Sequence, residues 1–395
     1  MLFLRMAQQL AHEFDVYVVD HLDGYMGSRV PEGVTLLDID SAVRFPDDAV
    51  LVVQSLRPWN LAAFERFCPA TRVLFWNLHP YNLYPYLFSD YGASPVKRII
   101  GRVLRPLSAL RLAKLERVVQ YLVQQHALVF MDEENRTRTG TFFPRIGLAP
   151  RYLPVLTDVP VERHAVQSMD TLRCGWVGRL VDFKAHILSH LMDRLDVAAA
   201  ATGSITLTVI GDGDHLEGLQ AQAALLTRIA VTFVPHVPLE QLGNFLDNEV
   251  DVLFAMGSSA LDGASRGIPT FLVDYSFRPV EGKYRFRMIH ESTGFSLGNL
   301  ITPDSYEAES SLEESLREVR RNYVELAALS YEFWRANHSP DAVMDRFREC
   351  IGETTATISE MGARGFFTPD PISKAILAPL RRLTGITGSS GFDNL

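Results

Sequence analysis

The sequence has 395 residues, of which 47% are hydrophobic, 10% aromatic and 22% charged. Ordinary globular proteins have this composition, so collagen-like, coiled-coil and wholly disordered chains are excluded, and at roughly 150 residues per domain the length fits two or three domains. The formal net charge of −9, from 38 basic and 47 acidic side chains, argues against nucleic acid as the main partner.

The cysteines and the apolar runs indicate the compartment. Cys68, Cys174 and Cys350 lie far apart, and no metal-binding spacing such as C-x-x-C joins them. No stretch reaches the roughly 18 apolar residues that a bilayer span needs, and no signal peptide opens the chain. We therefore expect a soluble, cytoplasmic protein in a reducing environment.

Helix and strand signals alternate along the first 150 residues. A helical apolar face at residues 2–14 precedes predicted strands at 15–20, 49–56, 72–80 and 127–132, with a helix at 60–68 capped by Asn60. A second predicted helix carries Leu107, Leu110, Leu115, Val118 and Leu122 on one face. An α/β domain usually opens with a strand. Because a helix comes first here, we expect the first strand to be missing from this chain, an unusual start being the alternative.

Four prolines between residues 144 and 160 mark an interdomain crossing, placed at 151–168. Beyond it strands and helices alternate again, which predicts a second domain over 169–351 with helices at its end. Residues 352–395 are polar and rich in glycine and serine, so we expect a flexible tail. The fold class predicted is α/β, with two doubly wound, Rossmann-like domains of parallel strands facing across a cleft that holds the ligand.

The segment GWVGRLVDFK, residues 175–184, joins a predicted strand to a helix. Gly178 permits close approach of the backbone to a ligand, and Arg179 and Lys184 add two cations beside a helix N-terminus. Helix N–H groups, a guanidinium fork and an ammonium together suit a diphosphate. Taken alone, two basic residues near a turn more often belong to a solvated surface.

Two further glycine-bearing turns follow predicted strands. In VIGDGDHLEGL, Gly211, Asp212 and Gly213 would form a phosphate-facing or nucleoside-facing turn, although Leu216 leaves the pattern G-x-G-x-x-G incomplete. The alternative is a plain strand-to-helix turn that needs glycine.

In AMGSSALDGASRGIP, residues 255–269, Gly257 ends a strand and Ser258 or Ser259 would cap the next helix, with free N–H groups open to a phosphate. Asp262 stands three residues after Ser259. It is either part of a capping box or a carboxylate that accepts hydroxyl groups of a ribose or sugar.

In order and spacing these segments, with VTFVPHVPLEQLGNFL between them, resemble GT-B-fold nucleotide-sugar glycosyltransferases of glycosyltransferase family four (group 1). The resemblance covers residues 170–275 well and the N-terminal half loosely. It implies that Arg179 and Lys184 hold the donor diphosphate, that the turn at 211–213 lies near the donor, and that His236 and Val237 contact its base. It also implies transfer with retention of the anomeric configuration.

Members of that family usually carry two glutamates before an A-x-G-x-P ending. Aligning Gly267 and Pro269 with that ending places Asp262 at the second glutamate, which contacts the donor ribose, and Phe254 at the first, which contacts the sugar. The first acid is therefore missing. We expect backbone N–H groups at 257–259 to take its place.

In the N-terminal half, His79 ends a predicted strand, as a histidine of the family's acceptor domain often does. It would hydrogen-bond a donor hydroxyl or assist the acceptor; otherwise it is a partly buried polar group. Tyr81, Tyr84, Tyr86 and Phe88 would stack on an acceptor sugar, or simply pack together.

Residues 97–117 hold seven cations against one acid, in an acidic protein. The cations are Lys97, Arg98, Arg102, Arg105, Arg111, Lys114 and Arg117. With apolar residues between them they resemble an interfacial helix drawn to anionic lipid, the alternative being a solvated basic face. The segment AILAPLRRL, residues 375–383, would add a second contact at the inner face of the plasma membrane.

Taken together, these features predict a glycosyltransferase that moves a sugar from a nucleotide-sugar donor to a glycan or lipid-linked acceptor, in surface polysaccharide biosynthesis. Protein cations neutralise the leaving diphosphate, so neither metal nor cofactor is expected. The alternative is a non-catalytic GT-B relative that binds a nucleotide sugar or a partner enzyme. A dehydrogenase using Gly211 and Gly213 is disfavoured, because no acid follows about 20 residues later.

Overall fold

A computed structural model describes residues 2–41, 43–55, 58–65, 68–85, 108–160, 170–282, 284–302, 305–306 and 311–369. The chain divides into two compact units. Unit 1 comprises Met1–Pro154 and Val343–Leu395, and unit 2 comprises Val155–Ala342. Unit 2 is thus one continuous segment, whereas unit 1 combines the two ends of the chain.

Eleven strands and ten α-helices lie in the described residues. The strands are β1 (Val16–Asp20), β2 (Val34–Asp38), β3 (Val50–Gln54), β4 (Arg72–Asn77), β5 (Leu128–Phe130), β6 (Leu172–Val177), β7 (Ile205–Ile210), β8 (Ile229–Val234), β9 (Val252–Ala255), β10 (Thr270–Leu272) and β11 (Arg287–Met288). The helices are α1 (Leu2–Leu10), α2 (Ala109–Gln124), α3 (Glu133–Phe142), α4 (Asp182–Thr202), α5 (Leu216–Ala223), α6 (Leu239–Glu249), α7 (Ser258–Ala264), α8 (Leu312–Asn337), α9 (Pro340–Glu353) and α10 (Ile358–Ala363). None of these described helices is both long and apolar enough to cross a membrane.

The sheet of unit 2 has six strands in the order β11-β10-β9-β6-β7-β8, all parallel except β11. Numbered from β6, the parallel strands follow the doubly wound order 3-2-1-4-5. The strand order reverses between β6 and β9. In such sheets ligands bind outside the carboxyl ends of the strands at this reversal.

Alternating strand residues build two apolar layers, one on each face of this sheet. Val252 and Phe254 join the layer covered by α4 and the first half of α8. Leu253 and Ala255 join the opposite layer, which is covered by α6 and α7. The fold class predicted from the sequence, α/β with parallel strands and helices on both faces, is confirmed for unit 2.

Unit 1 contains a parallel pair, β1-β2, and a separate parallel sheet in the order β3-β4-β5. Helix α1 packs Leu4 and Ala7 against the pair, and the Phe3 ring meets the Trp76 ring of β4 edge-on at 5.7 Å. Among the described residues β1 and β3 each pair with a strand on one side only. Unit 1 is therefore also a parallel α/β structure, but its strands are divided between two sheets.

The C-terminal residues to 369 complete the core of unit 1. Ala356, Ile358 and Met361 are fully buried there, together with Phe366 and Phe367. The Val73 N–H donates to Ala356 O at 2.8 Å, which ties this segment to β4. The prediction of a flexible tail from residue 352 is therefore wrong as far as residue 369, and residues 343–351 belong to unit 1 rather than to the second domain. Residues 370–395 lie outside the described part.

Two local predictions in unit 1 also need correction. Residues 58–64 form a 3₁₀ helix instead of the expected α-helix at 60–68, since a short segment followed by Pro69 leaves little length for α-helical hydrogen bonds. Leu110 is 63% exposed, although Leu115 and Val118 are buried. At 3.6 residues per turn, Leu110 points about 140° away from Leu115.

Candidate functional site

The turn between β6 and α4 lies at the strand reversal of unit 2. Strand β6 ends at Val177, and the Gly178 N–H donates to Ile210 O at 3.0 Å. Arg179 follows with an exposed side chain. Val181 occupies the N-cap of α4 without a capping side chain, and in the first helical turn the Lys184 N–H donates to Val181 O at 2.9 Å. The 21-residue α4 adds the positive end of its dipole at this point.

Lys184 lies in the first turn of α4 with its ammonium folded over Gly178. A Cβ placed on Gly178 would stand 3.2 Å from Lys184 Nζ. Burial, together with the smaller effect of the nearby charge of Arg179, lowers the pKa of this lysine to about 8. Throughout the described residues neither cation has a hydrogen-bond or ion-pair partner for its side chain. Two adjacent cations, one of them largely desolvated and neither neutralised by a described residue, form a candidate anion site.

The turn after β7 is fitted against the turn after β6. A Cβ on Gly211 would meet Gly178 O at 2.1 Å, and one on Gly213 would meet Leu180 O at 2.5 Å, with φ of +152° and +155°. The Leu180 N–H donates to Asp212 O at 2.9 Å. The packing of the two turns therefore requires glycine at both positions. This agrees with the alternative of a plain strand-to-helix turn that needs glycine. Asp212 is exposed and accepts from the Gly213 N–H at 2.7 Å.

His236 and Val237 follow β8, at the same carboxyl edge but two strands from β6. His236 is exposed, whereas Val237 packs on the apolar layer of α6 and α7. The structure places both residues at the expected edge and leaves their contact with a donor base a prediction.

The turn after β9 adjoins the anion site through the sheet, because Val177 of β6 pairs with Ala255 of β9. Gly257 has φ of +62° and is itself the N-cap of α7. Ser258 and Ser259 occupy the first two helical positions and make no side-chain cap, so the predicted serine cap is wrong. Glycine takes this place because its φ favours a residue without Cβ.

Asp262 lies on the second turn of α7 and is partly exposed. It stands beyond the third helical position, so the capping-box alternative does not hold. Phe254 lies inside β9 and is fully buried, with its ring stacked on Phe271 at 4.9 Å. It belongs to the core, and no acid occupies that position.

In unit 1, His79 caps the 3₁₀ helix Pro80–Leu83, where its Nδ1 accepts from the Tyr81 N–H at 3.2 Å. Burial lowers the pKa of this imidazole, although the residue keeps a solvent-exposed surface. The rings of Tyr81 and Tyr84 pack against Phe142 at 5.6 and 5.0 Å. These two tyrosines therefore form a packed aromatic cluster, while Tyr86 and Phe88 lie outside the described residues.

Of the basic segment, the structure describes Arg111, Lys114 and Arg117. Arg111 is only 1% exposed, and Lys114 donates to Gly365 O at 3.2 Å. Only Arg117 of these three is exposed to solvent. The interpretation as an interfacial face is therefore wrong for Arg111, whereas for Lys114 and Arg117 it stays a prediction. Lys97, Arg98, Arg102 and Arg105 lie outside the described residues, and for them it stays a prediction.

Trp176 is a residue of this site that the sequence analysis missed. It lies on β6 two positions before Gly178, and its indole Nε1 is 3.6 Å from the point where a Gly178 Cβ would stand. The signal was the strand alternation, because residues two apart face the same side of a sheet.

The fold and the site define an α/β protein with two cations, neutralised by no described residue, at the strand reversal of its second unit. No protein-family profile matches the sequence, and no curated protein matches it. Several solved structures are similar in fold. One is a mutant TarM from S. aureus in complex with fondaparinux, alpha-GlcNAc-glycerol and UDP, with a TM-score of 0.45 and 9% identity over 77% of this chain and 56% of that one.

Two others are named as transferases. The lipopolysaccharide outer core galactosyltransferase WaaB has a TM-score of 0.39 and 16% identity, over 63% of this chain and 82% of that one. The glycotransferase of kitacinnamycin has a TM-score of 0.43 and 10% identity, over 88% and 94%. The chain spans little more than half the length of TarM. These values describe distant similarity to glycosyltransferase structures.

Proposed function

We propose that this chain is a glycosyltransferase that moves a sugar from a nucleotide-sugar donor to a glycan or lipid-linked acceptor. The observation that carries the proposal is the unneutralised pair Arg179 and Lys184 at the strand reversal of unit 2. Partial burial of an ammonium beside a guanidinium is unfavourable, because both groups are positively charged. Binding of an anion between them offsets this free energy.

The difficult part of such a transfer is the departure of the diphosphate, whose negative charge grows as the glycosidic bond breaks. Cations held in place before the reaction stabilise that charge without reorganisation. Arg179 offers a planar fork, Lys184 a point charge, and α4 its N-terminal N–H groups. Since these groups neutralise the leaving group, we propose that the reaction needs no metal ion.

The remaining assignments extend this proposal. The backbone at 257–259 and the carboxylate of Asp262 would bind donor hydroxyl groups, His236 and Val237 the base, and His79 the acceptor side. Retention of the anomeric configuration, a role in surface polysaccharide synthesis, and a cytoplasmic location at the inner membrane face belong to the same proposal. The stereochemistry is tested by NMR of the first-formed product.

The primary test is calorimetric titration with a panel of nucleoside diphosphates. We expect the chain to bind at least one of them, and Lys184→Met to weaken that binding by about 100-fold, because a charged donor to phosphate is lost. Arg321→Ala is the matched control, since it removes one exposed cation from the same unit. Binding that Lys184→Met leaves within threefold of the native value contradicts the assignment.

The buried Phe254 at the position of the first family acid favours one alternative, a relative that binds a nucleotide sugar without turnover. Incubation with the bound donor separates the two functions. Slow release of nucleoside diphosphate by the purified chain supports the enzyme. Binding without any release, with or without candidate acceptors, supports the non-catalytic alternative.

A further inference from the structure

Trp176 differs from two other buried tryptophans of the chain in its hydrogen bonding. The indole N–H of Trp76 donates to Leu153 O at 2.7 Å, and that of Trp334 donates to Thr157 Oγ1 at 2.8 Å. Trp176 is 1% exposed, yet its Nε1 has no partner anywhere in the described residues. A buried donor without an acceptor costs about 1–3 kcal/mol, so native proteins rarely keep one without a reason.

The unpartnered N–H and the Lys184 ammonium both lie beside Gly178. The Cβ that Gly178 lacks would lie 3.6 Å from Trp176 Nε1 and 3.2 Å from Lys184 Nζ. Because residue 178 is glycine, it places no side chain next to these two groups, and a ligand can approach the backbone closely there. Both neighbouring groups are donors, so the ligand atom that suits this place is an acceptor oxygen.

We propose that the indole N–H of Trp176 is a third donor of the anion site and binds an oxygen of the donor diphosphate beside Lys184. This inference rests on the proposed function of that site. The Lys184 side chain is long and flexible. When it turns toward the bound phosphate, the indole N–H of Trp176 becomes accessible to the ligand. An oxygen that accepts from an ammonium and an indole satisfies both groups, and it fixes the phosphate over Gly178.

The test uses the full chain, ¹⁵N-labelled at its tryptophan indoles, and inorganic pyrophosphate as the probe. The sequence has four tryptophans, so the indole region of the spectrum holds four signals, and Trp176→Phe identifies one of them. We expect the Trp176 signal to move downfield and saturate with pyrophosphate, while the Trp76 and Trp334 signals stay in place. In calorimetry we expect Trp176→Phe to bind pyrophosphate about tenfold more weakly.

Trp334→Phe is the matched control, because it makes the same substitution in the same unit at an indole that is already satisfied, and it leaves affinity unchanged. The NMR titration of the native chain needs no variant to fold in order to decide the question. If native chain and Lys184→Met differ in pyrophosphate affinity but the Trp176 signal does not move, the inference is wrong and the proposed function stands. If neither pyrophosphate nor any nucleoside diphosphate binds, both are wrong.

Discussion

The charge of Lys184 favours binding of an anion but lowers the stability of the free protein. Its folded-state pKa of about 8 lies below the ordinary 10.5, so the enclosed charge destabilises the free protein. That cost is fully present below pH 8 and disappears as the pH rises toward the unfolded value. We therefore expect Lys184→Met to raise the free energy of unfolding of unit 2 by about 1–3 kcal/mol at pH 7, with no gain at pH 10.5. Urea unfolding at both pH values measures this, and a variant less stable at pH 7 contradicts it.

The same pKa sets the pH dependence of binding. The protonated lysine attracts the anion, and the bound anion favours protonation, so affinity is greatest below about pH 8. Above that value we expect the dissociation constant of a nucleoside diphosphate to rise, by up to about tenfold per pH unit. In Lys184→Arg the guanidinium stays charged throughout, and the dependence flattens. Calorimetry between pH 7 and 9.5 compares the two, and parallel curves would rule out the lysine as the titrating group.

At the residue scale, the sequence predicted that both cations and the glycine beside them lie at one strand-to-helix turn, and the structure has them there, while their binding of an anion stays a prediction. The sequence did so because a strand, a glycine and two basic residues before a helix carry their chemistry locally. Trp176 was missed because nothing in the sequence distinguishes a tryptophan that lacks an acceptor from Trp334, which has one. Whether a buried donor is satisfied depends on residues far away in the chain.

At the scale of elements, the two turns after β6 and β7 behave as one unit. Gly213→Ala would bring a Cβ to 2.5 Å from Leu180 O at a φ of +155°, so the turns must separate. We expect a loss of about 2–4 kcal/mol of stability and weaker nucleoside diphosphate binding. Gly218→Ala is the matched control within α5, where nothing lies within 4 Å of the added Cβ. There we expect a gain of up to about 1 kcal/mol, measured by thermal unfolding. Equal effects at the two glycines would contradict this account.

The elements themselves were largely predictable where period and flanking residues agree, as in α4 and β6 to β9. The exceptions share a physical cause. The predicted serine N-cap of α7 was wrong because the backbone after β9 has a positive φ at Gly257, so glycine is the N-cap. The preference of serine for N-cap positions does not predict this φ. The prediction that Leu110 shares the buried face of Leu115 was wrong, because residues five apart do not lie on the same face of an α-helix.

At the scale of the whole molecule, unit 1 depends on residues from the C-terminal end. Ile358 is fully buried in its core, whereas Val324 on α8 of unit 2 is 74% exposed. We expect Ile358→Ala to cost unit 1 about 2–5 kcal/mol through lost apolar contacts and a residual cavity. Val324→Ala, a truncation without burial, should change stability by less than about 0.5 kcal/mol. Hydrogen exchange at β4 provides the measurement, and undiminished protection there in Ile358→Ala would refute the dependence.

This domain arrangement was outside the reach of the sequence. Proline spacing predicted a crossing at residues 151–168, and the first segment of unit 1 ends at Pro154. The polar composition after residue 352 concealed Ile358, Met361, Phe366 and Phe367, whose burial depends on a partner surface more than 200 residues earlier in the chain.

The return of the chain to unit 1 has a consequence for biosynthesis. During translation unit 2 is complete once residue 342 has left the ribosome, so it can fold before its predecessor in the sequence. The nascent first unit waits with the apolar surface of β4 and α2 uncovered until residues 354–367 emerge. Such a delay would leave the unfinished N-terminal half prone to aggregation, and it would reverse the usual order in which domains mature on the ribosome.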